Sequence, residues 1–263
     1  MAFDIRYAGL AGNDYERLIA EYPKLDGVGH YEFCPTCSKT GTYLWKGIVY
    51  ECDCETQFAL YKHYLAAGVG VPYQRLSWTD WEGDPEVCQA VQTYVNTPGY
   101  IKRGKGLFFW GEFGRGKTML GMLVIKELVK RGMSCYATTY PDTVKAFTAG
   151  WDDVEDKRWF ERKFKTSDVL LLDDLGKEHW GKSSLPQTTF DNLIRARVQA
   201  GRPTLITTNM EPSTIRAAYG PSAMSLINEQ SIPFEFSEGE NFHEKVEARD
   251  RLEIINGEDR PIV

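Results

Sequence analysis

The chain has no apolar run approaching the roughly 18 residues a membrane-spanning helix needs. Its opening Met1-Ala-Phe-Asp-Ile-Arg6 lacks the apolar core of a secretory signal. Those absences point to a cytoplasmic protein with no membrane partner. Overall positive charge is missing too: 31 lysines and arginines against 37 acidic residues leave a net charge of −6. That excludes a generally basic, DNA-coating surface, though not a local cationic groove. Repeats and low-complexity tracts are absent. Cysteine is scarce outside one short stretch, since four of the six lie between positions 34 and 54. Cys88 and Cys135 stand apart and are expected to be packing residues. Without an export signal, the clustered four do not read as a disulfide framework.

What is present fits one α/β core with a small appendage in 263 residues. From residue 106 onward, strand and helix patterns alternate. Leu107–Trp110, Val169–Leu172 and Thr204–Thr207 read as short buried strands, Ile232, Phe234 and Phe236 alternate as another, and Ser134–Thr139 is a weaker fifth. Leu120, Leu123, Val124 and Leu128 recur at helical spacing before Gly132, and Phe190, Leu193, Ile194 and Val198 mark a helix ending before Gly201. Continuous apolar strands between helices predict a parallel five-stranded sheet covered on both faces.

Gly111-Glu-Phe-Gly-Arg-Gly-Lys-Thr118 matches G-x-x-x-x-G-K-[ST] at every fixed position and lies between an apolar strand and an apolar-faced helix. Gly111, Gly114 and Gly116 let backbone N–H groups wrap phosphate oxygens. Lys117 reaches the β/γ-phosphates of a nucleotide such as ATP, the Thr118 hydroxyl is a Mg²⁺ ligand, and the helix N-terminus adds positive potential. Val169-Leu-Leu-Leu-Asp-Asp174 delivers two carboxylates at the end of a strand, where ligands of open α/β sheets sit. Asp173 suits the Mg²⁺ shell, and Asp174 suits orientation or deprotonation of an attacking water. A turn or helix cap is the competing reading of that pair, since Asp favours both. Leu175-Gly-Lys-Glu178 places a further acid nearby, and Thr204-Leu-Ile-Thr-Thr-Asn209 ends a strand in an amide able to position a water or sense the γ-phosphate. Taken singly, a strand-end Asn is commonly only a turn residue.

Cys34-x₂-Cys37, fourteen residues, then Cys52-x-Cys54 offers four soft ligands in two pairs. Tetrahedral Zn²⁺ takes four thiolates and then has no open position, so the site reads as structural. A module this small buries too little core to fold alone, and metal binding would supply its folding energy. Free thiols are the alternative. His30 lies close by but is not needed as a ligand.

Together these features resemble the DnaC/DnaI-type replicative helicase loaders, a branch of the AAA+ ATPases that includes the IstB-like transposition helpers. The resemblance is carried by Gly111–Thr118, by Leu170–Gly176 with Glu178, and by Arg197 ahead of Pro203–Asn209. The Cys-rich module joined through Gly68–Tyr73 looks like the zinc domain that docks such loaders on the helicase. The resemblance implies that Lys117 and Thr118 bind ATP and Mg²⁺, Asp173 is the metal acid, Asp174 stands at the catalytic base and Asn209 is a sensor. It also implies a helicase partner, single-stranded DNA, and assembly as a homo-oligomer or with the helicase hexamer. Many bacteriophages carry such loaders. The implied layout is a zinc-binding module over residues 1–66, a linker over 67–105, an AAA+ core over 106–237 and an acidic tail over 238–263.

Two departures matter. Asp174 is shorter than the Glu of many relatives. After a Tyr-Gly pair like Tyr219-Gly220 the family usually reads Glu-Arg-x-x-Ser-Arg-Leu, whereas this chain reads Pro221-Ser-Ala-Met-Ser-Leu-Ile227. Both family arginines are missing, which leaves Arg197, Arg216 or a partner as source of a transition-state cation, or leaves ATP as a binding switch. For DNA contact the best local cluster is Lys102, Arg103 and Lys105 beside Tyr100, each of which alone reads as a solvated loop residue. Glu235–Asp259 holds nine acidic and three basic residues and is expected to be a solvated, frayed end.

Overall fold

The computed structural model describes residues 3–178, 184–237 and 242–263. In chain order its elements are α1 (Gly12–Glu21), the hairpin β1 (Thr42–Trp45) and β2 (Ile48–Glu51), α2 (Cys54–Ala66), α3 (Val71–Gln74), α4 (Pro85–Asn96) and α5 (Pro98–Lys102). The α/β part follows as β3 (Gly106–Gly111), α6 (Lys117–Lys130), β4 (Cys135–Thr139), α7 (Tyr140–Ala149), α8 (Val154–Phe160), β5 (Val169–Leu175), α9 (Leu185–Gln199), β6 (Thr204–Thr208), α10 (Pro212–Tyr219), α11 (Pro221–Gln230), β7 (Ser231–Phe236) and α12 (Phe242–Asn256). Among the described residues no helix is long and apolar enough to cross a membrane.

Five strands form one sheet in the order β4-β5-β6-β3-β7, and every neighbouring pair is parallel. This is the five-stranded parallel sheet expected from the sequence. Alternate side chains of its strands feed two separate cores. Leu107, Phe109, Val169, Leu171 and Leu205 join α6, α4 and α2, while Phe108, Leu170, Leu172 and Ile206 join α7 and α9–α11. Period-2 alternation sends successive residues to opposite faces, and both faces are covered here, so the strands read as continuous apolar runs. Because all five strands point one way, the carboxyl ends of β3, β6 and β5 lie side by side at one edge of the sheet.

Two expectations are revised. The segment 67–105 carries three helices, and Val69, Leu76, Val91, Tyr94 and Val95 are buried in the same core as the sheet. Its Gly and Pro residues punctuate short helices rather than a free joint. The tail expectation falls partly on residues 238–241, outside the described residues; from Phe242 onward the chain is helical and then packed. Phe242 is buried against Trp81 with ring centroids 4.8 Å apart, and Ile262 is buried in the main core. Arg260 bridges Asp80 at 2.5 Å and Glu253 at 2.6 Å. Part of the acidic excess is thus paired internally, which a count of charges along the chain does not reveal. Cys88 and Cys135 are buried packing residues, as expected.

Candidate nucleotide-binding site and metal centre

The loop after β3 is shaped by glycines at positive φ: 123° at Gly111, 75° at Gly114 and 80° at Gly116. At Gly116 a side chain is also excluded by space, since a Cβ would lie 2.6 Å from the Trp81 ring. The loop folds back on its own lysine: Lys117 Nζ donates to the Gly111 carbonyl at 2.9 Å and the Glu112 carbonyl at 2.5 Å. Burial pulls the Lys117 ammonium down to about 8, with Asp174 and Asp173 opposing that shift.

Across the sheet edge, β5 leaves its ladder with β6 at a register shift between Leu172 and Leu175. Asp174 there has φ 57°, a left-handed backbone that Asp tolerates better than most residues, and its N–H donates to the Thr207 hydroxyl at 3.0 Å. The irregularity turns consecutive carboxylates to different tasks. Asp173 stays buried, accepting from the Thr118 hydroxyl at 2.9 Å and the Thr207 hydroxyl at 2.5 Å. Burial pushes its carboxyl above the ordinary value, and the charge of Asp174 adds to this, against the two hydroxyl bonds. Asp174 reaches the Lys177 ammonium at 2.8 Å. Asp173 and Thr118 together set two hard oxygens side by side, the donor type Mg²⁺ prefers.

These residues line one cavity of about 660 Å³ together with Phe113, Lys177 and Asn209. The P-loop, the acid pair and the strand-end amide named from sequence therefore meet. Sequence reasoning missed the other lining residues: Val71, Pro72, Tyr73, Arg75 and Leu76, and Phe242, Val246, Arg249 and Arg260. The N–H of Phe242 donates to the Gly114 carbonyl at 2.8 Å, tying α12 to the phosphate loop. Contacts so distant along the chain leave no local pattern to read.

Other named residues lie elsewhere. Arg197 is fully buried, its guanidinium donating to the carbonyls of Phe164, Ser167 and Pro203 at 2.8, 3.1 and 2.7 Å, with Nε on the Thr204 hydroxyl at 3.0 Å. It ties α9 to the entries of β5 and β6 and cannot serve as a mobile finger. Arg216 is exposed on α10, away from the cavity lining. Of the proposed DNA cluster, Lys105 is bonded to the Glu229 carbonyl and Tyr100 is stacked on Tyr94, leaving Lys102 and Arg103 exposed. Glu178, buried and pushed up by burial, accepts from the Gly176 N–H at 2.9 Å and from the Tyr219 hydroxyl.

Cys34, Cys37, Cys52 and Cys54 converge with all sulfurs within 4.8 Å of one another. The Cys34–Cys52 and Cys37–Cys54 separations are 3.5 Å, close to the roughly 3.8 Å edge of a tetrahedron with 2.3 Å Zn–S bonds. The all-sulfur donor set and its compactness fit a structural Zn²⁺. Burial raises the Cys37 thiol, but N–H groups of Gly41 and Lys39 and neighbouring thiols more than offset this and bring it to about 7. Those N–H groups come from a turn in which Ser38, Lys39 and Gly41 have φ of 47°, 77° and 77°. The single residue between Cys52 and Cys54 is the N-cap of α2: Asp53 accepts from the Thr56 N–H at 3.0 Å and so fixes Cys54 on the first turn.

No family model matches the chain. It is 27% identical over 150 residues to the replicative helicase loader DnaI of Bacillus subtilis (strain 168), covering 56% of this chain and 47% of that protein. It thus spans about half the length of the curated relatives it matches. A crystal structure of the DnaC helicase loader superposes with a TM-score of 0.57 at 23% identity, covering 64% of this chain and all of the other. A crystal structure of DnaI gives 0.52 at 26% identity, covering 65% of this chain and 92% of the other. The α/β part has the AAA+ P-loop fold, and in sequence and fold the chain resembles the DnaC/DnaI-type loaders.

Proposed function

We propose that the protein is an ATP-dependent loader that engages a replicative DNA helicase and helps place it on single-stranded DNA. The observation that carries this reading is the joining of two sites in one molecule: a P-loop cavity with paired aspartates, and a separate four-cysteine module. The similarity to DnaI and DnaC supports it. In this reading Gly111, Gly114, Gly116 and Lys117 hold the phosphates, Thr118 and Asp173 hold Mg²⁺, Asp174 addresses the attacking water and Asn209 contacts the γ-phosphate side. The cysteines hold Zn²⁺ and shape the surface that meets the helicase. The protein works in the cytoplasm and acts with the helicase hexamer or as its own oligomer.

A second reading is favoured by one observation. α11 follows Tyr219-Gly220 without any arginine, which supports an ATP-gated adaptor with little turnover of its own. An IstB-like transposition helper shares the ATPase core, but such helpers usually lack a zinc module. The test is gel filtration of the protein with a hexameric replicative helicase in ATP–Mg²⁺. Co-migration that is lost in Cys37→Ser supports the loader; no association in any nucleotide state rejects it.

A further inference from the structure

Resting on the nucleotide-site reading above, we propose that Arg75 is a positioning residue that couples occupancy of the four-cysteine site to nucleotide binding. Val71, Pro72, Tyr73, Arg75 and Leu76 form a wall of the nucleotide cavity. From that wall the Arg75 guanidinium enters the cysteine module. Nη2 donates to the Pro35 carbonyl at 2.5 Å and Nη1 to the Thr36 hydroxyl at 3.3 Å. Pro35 and Thr36 are the two residues between Cys34 and Cys37, so the path of their backbone is set by whatever those thiols hold. A third bond runs from Nη1 to the Arg260 carbonyl at 2.5 Å, and Arg260 also lines the cavity. A guanidinium is a planar fork with fixed donor directions. Displacing the cysteine turn therefore displaces the wall.

The backbone of the wall is anchored as well. Lys126, buried on α6, donates to the carbonyls of Tyr73 at 3.0 Å and Gln74 at 2.8 Å, and to that of Leu76. Because α6 starts at the phosphate loop, Lys126 references the wall to the phosphate site while Arg75 references it to the cysteine turn. With metal bound, the wall is ordered before nucleotide arrives. Once metal is removed, the acceptors of Arg75 lose their fixed positions and nucleotide binding must order them. Such coupling is reciprocal, so nucleotide must also tighten metal binding by the same factor.

The full chain is titrated with a fluorescent ATP analogue and Mg²⁺, zinc-loaded and after stripping with a chelator. Affinity is expected to fall about tenfold on stripping, within the usual range of coupling between sites. Arg75→Ala, still holding zinc, is expected to bind about as weakly as the stripped wild type and to lose nothing further when stripped. Saturating nucleotide should slow zinc release to a chromogenic chelator in the wild type and not in Arg75→Ala. A further loss on stripping Arg75→Ala would mean that metal removal loosens the protein generally, and would overturn the coupling. Wild-type affinity indifferent to zinc would overturn it too. Lys117→Ala separates this from the reading it rests on. If wild type and Lys117→Ala bind the analogue with equal affinity, the nucleotide site itself is misassigned. Binding that Lys117→Ala abolishes, but that stripping and Arg75→Ala leave unchanged, rejects the coupling alone.

Discussion

Lys117 holds an ammonium where burial works against its charge, bringing it to about 8 although Asp174 and Asp173 favour the charged form. A bound polyphosphate adds negative charge and raises that value again. Below about 8 the free protein already carries the proton, so nucleotide affinity should be flat with pH. Above it, binding has to take up a proton, and affinity should fall by up to about tenfold per pH unit. Titrations of an ATP analogue at pH 7 and pH 9 check this, and Lys117→Ala should be weak at both. A pH-independent wild type would show that Lys117 keeps its proton throughout that range, whereas unchanged affinity in Lys117→Ala would remove the phosphate role from this lysine. Arg197 poses the opposite case. Its donors are spent on buried carbonyls, so Arg197→Ala should act on stability, by about 1–3 kcal/mol for each buried carbonyl left without a donor. Arg197→Lys should restore little, because an ammonium cannot span those acceptors. Thermal unfolding gives the answer. A normally stable Arg197→Ala that had lost only turnover would contradict the structural assignment.

At the scale of elements, what could be read in advance was local. The P-loop is a contiguous string, and Val169–Asp174 is an apolar strand with its acids attached. The four cysteines are spaced for a shared ligand. The sequence also marks where strands begin, because most residues of a strand covered on both faces are apolar. α12 and the segment 257–263 were not legible. Their partners lie far away along the chain, as in Gln57 with Ile262 and Tyr64 with Val263, and a helix dotted with carboxylates looks solvated until its arginines are placed. α3–α5 were hidden for a related reason: Gly and Pro signal breaks, but not that the pieces between them pack. How closely α6 approaches β5 was also invisible. A Cβ at Gly121 would lie 3.0 Å from both terminal carbons of Leu171. Gly121→Val should therefore overpack this contact, costing about 1–3 kcal/mol. Because α6 starts at Lys117 and β5 carries Asp173, it should weaken ATP–Mg²⁺ binding as well. Calorimetric unfolding and nucleotide titration on one sample decide it: lost stability with unchanged affinity would show the site insulated from that packing.

Among the described residues, the molecule gathers the parts proposed to bind nucleotide and holds no uncommitted cation at the cavity for the transition state. In the proposed reading, ground-state binding draws on Gly114, Gly116, Lys117, Thr118 and Asp173, all lining one cavity. Hydrolysis needs more, since charge shifts as the γ-phosphoryl leaves, and an arginine supplied at that moment is worth about 10³–10⁵ in rate where one is used. Arg197 is locked in the core, α11 offers no arginine, and the cations lining the cavity are engaged: Arg260 by Asp80 and Glu253, Arg249 by Asp250, Arg115 by Glu112 and Lys177 by Asp174. Arg216 is exposed on α10 and outside the cavity, so it could act only on a neighbouring molecule. The isolated protein should therefore bind ATP–Mg²⁺ well and hydrolyse it slowly, and helicase with single-stranded DNA should speed turnover by orders of magnitude. Asp174 reinforces the expectation, because its short side chain is also held by Lys177. Steady-state phosphate release by the protein alone, and then with helicase and single-stranded DNA, measures both halves. Fast turnover by the lone protein that rises with its concentration and disappears in Arg216→Ala would place the missing cation on a second copy of this chain. ATP would then be a fuel the protein burns unaided, and the switch reading would fall.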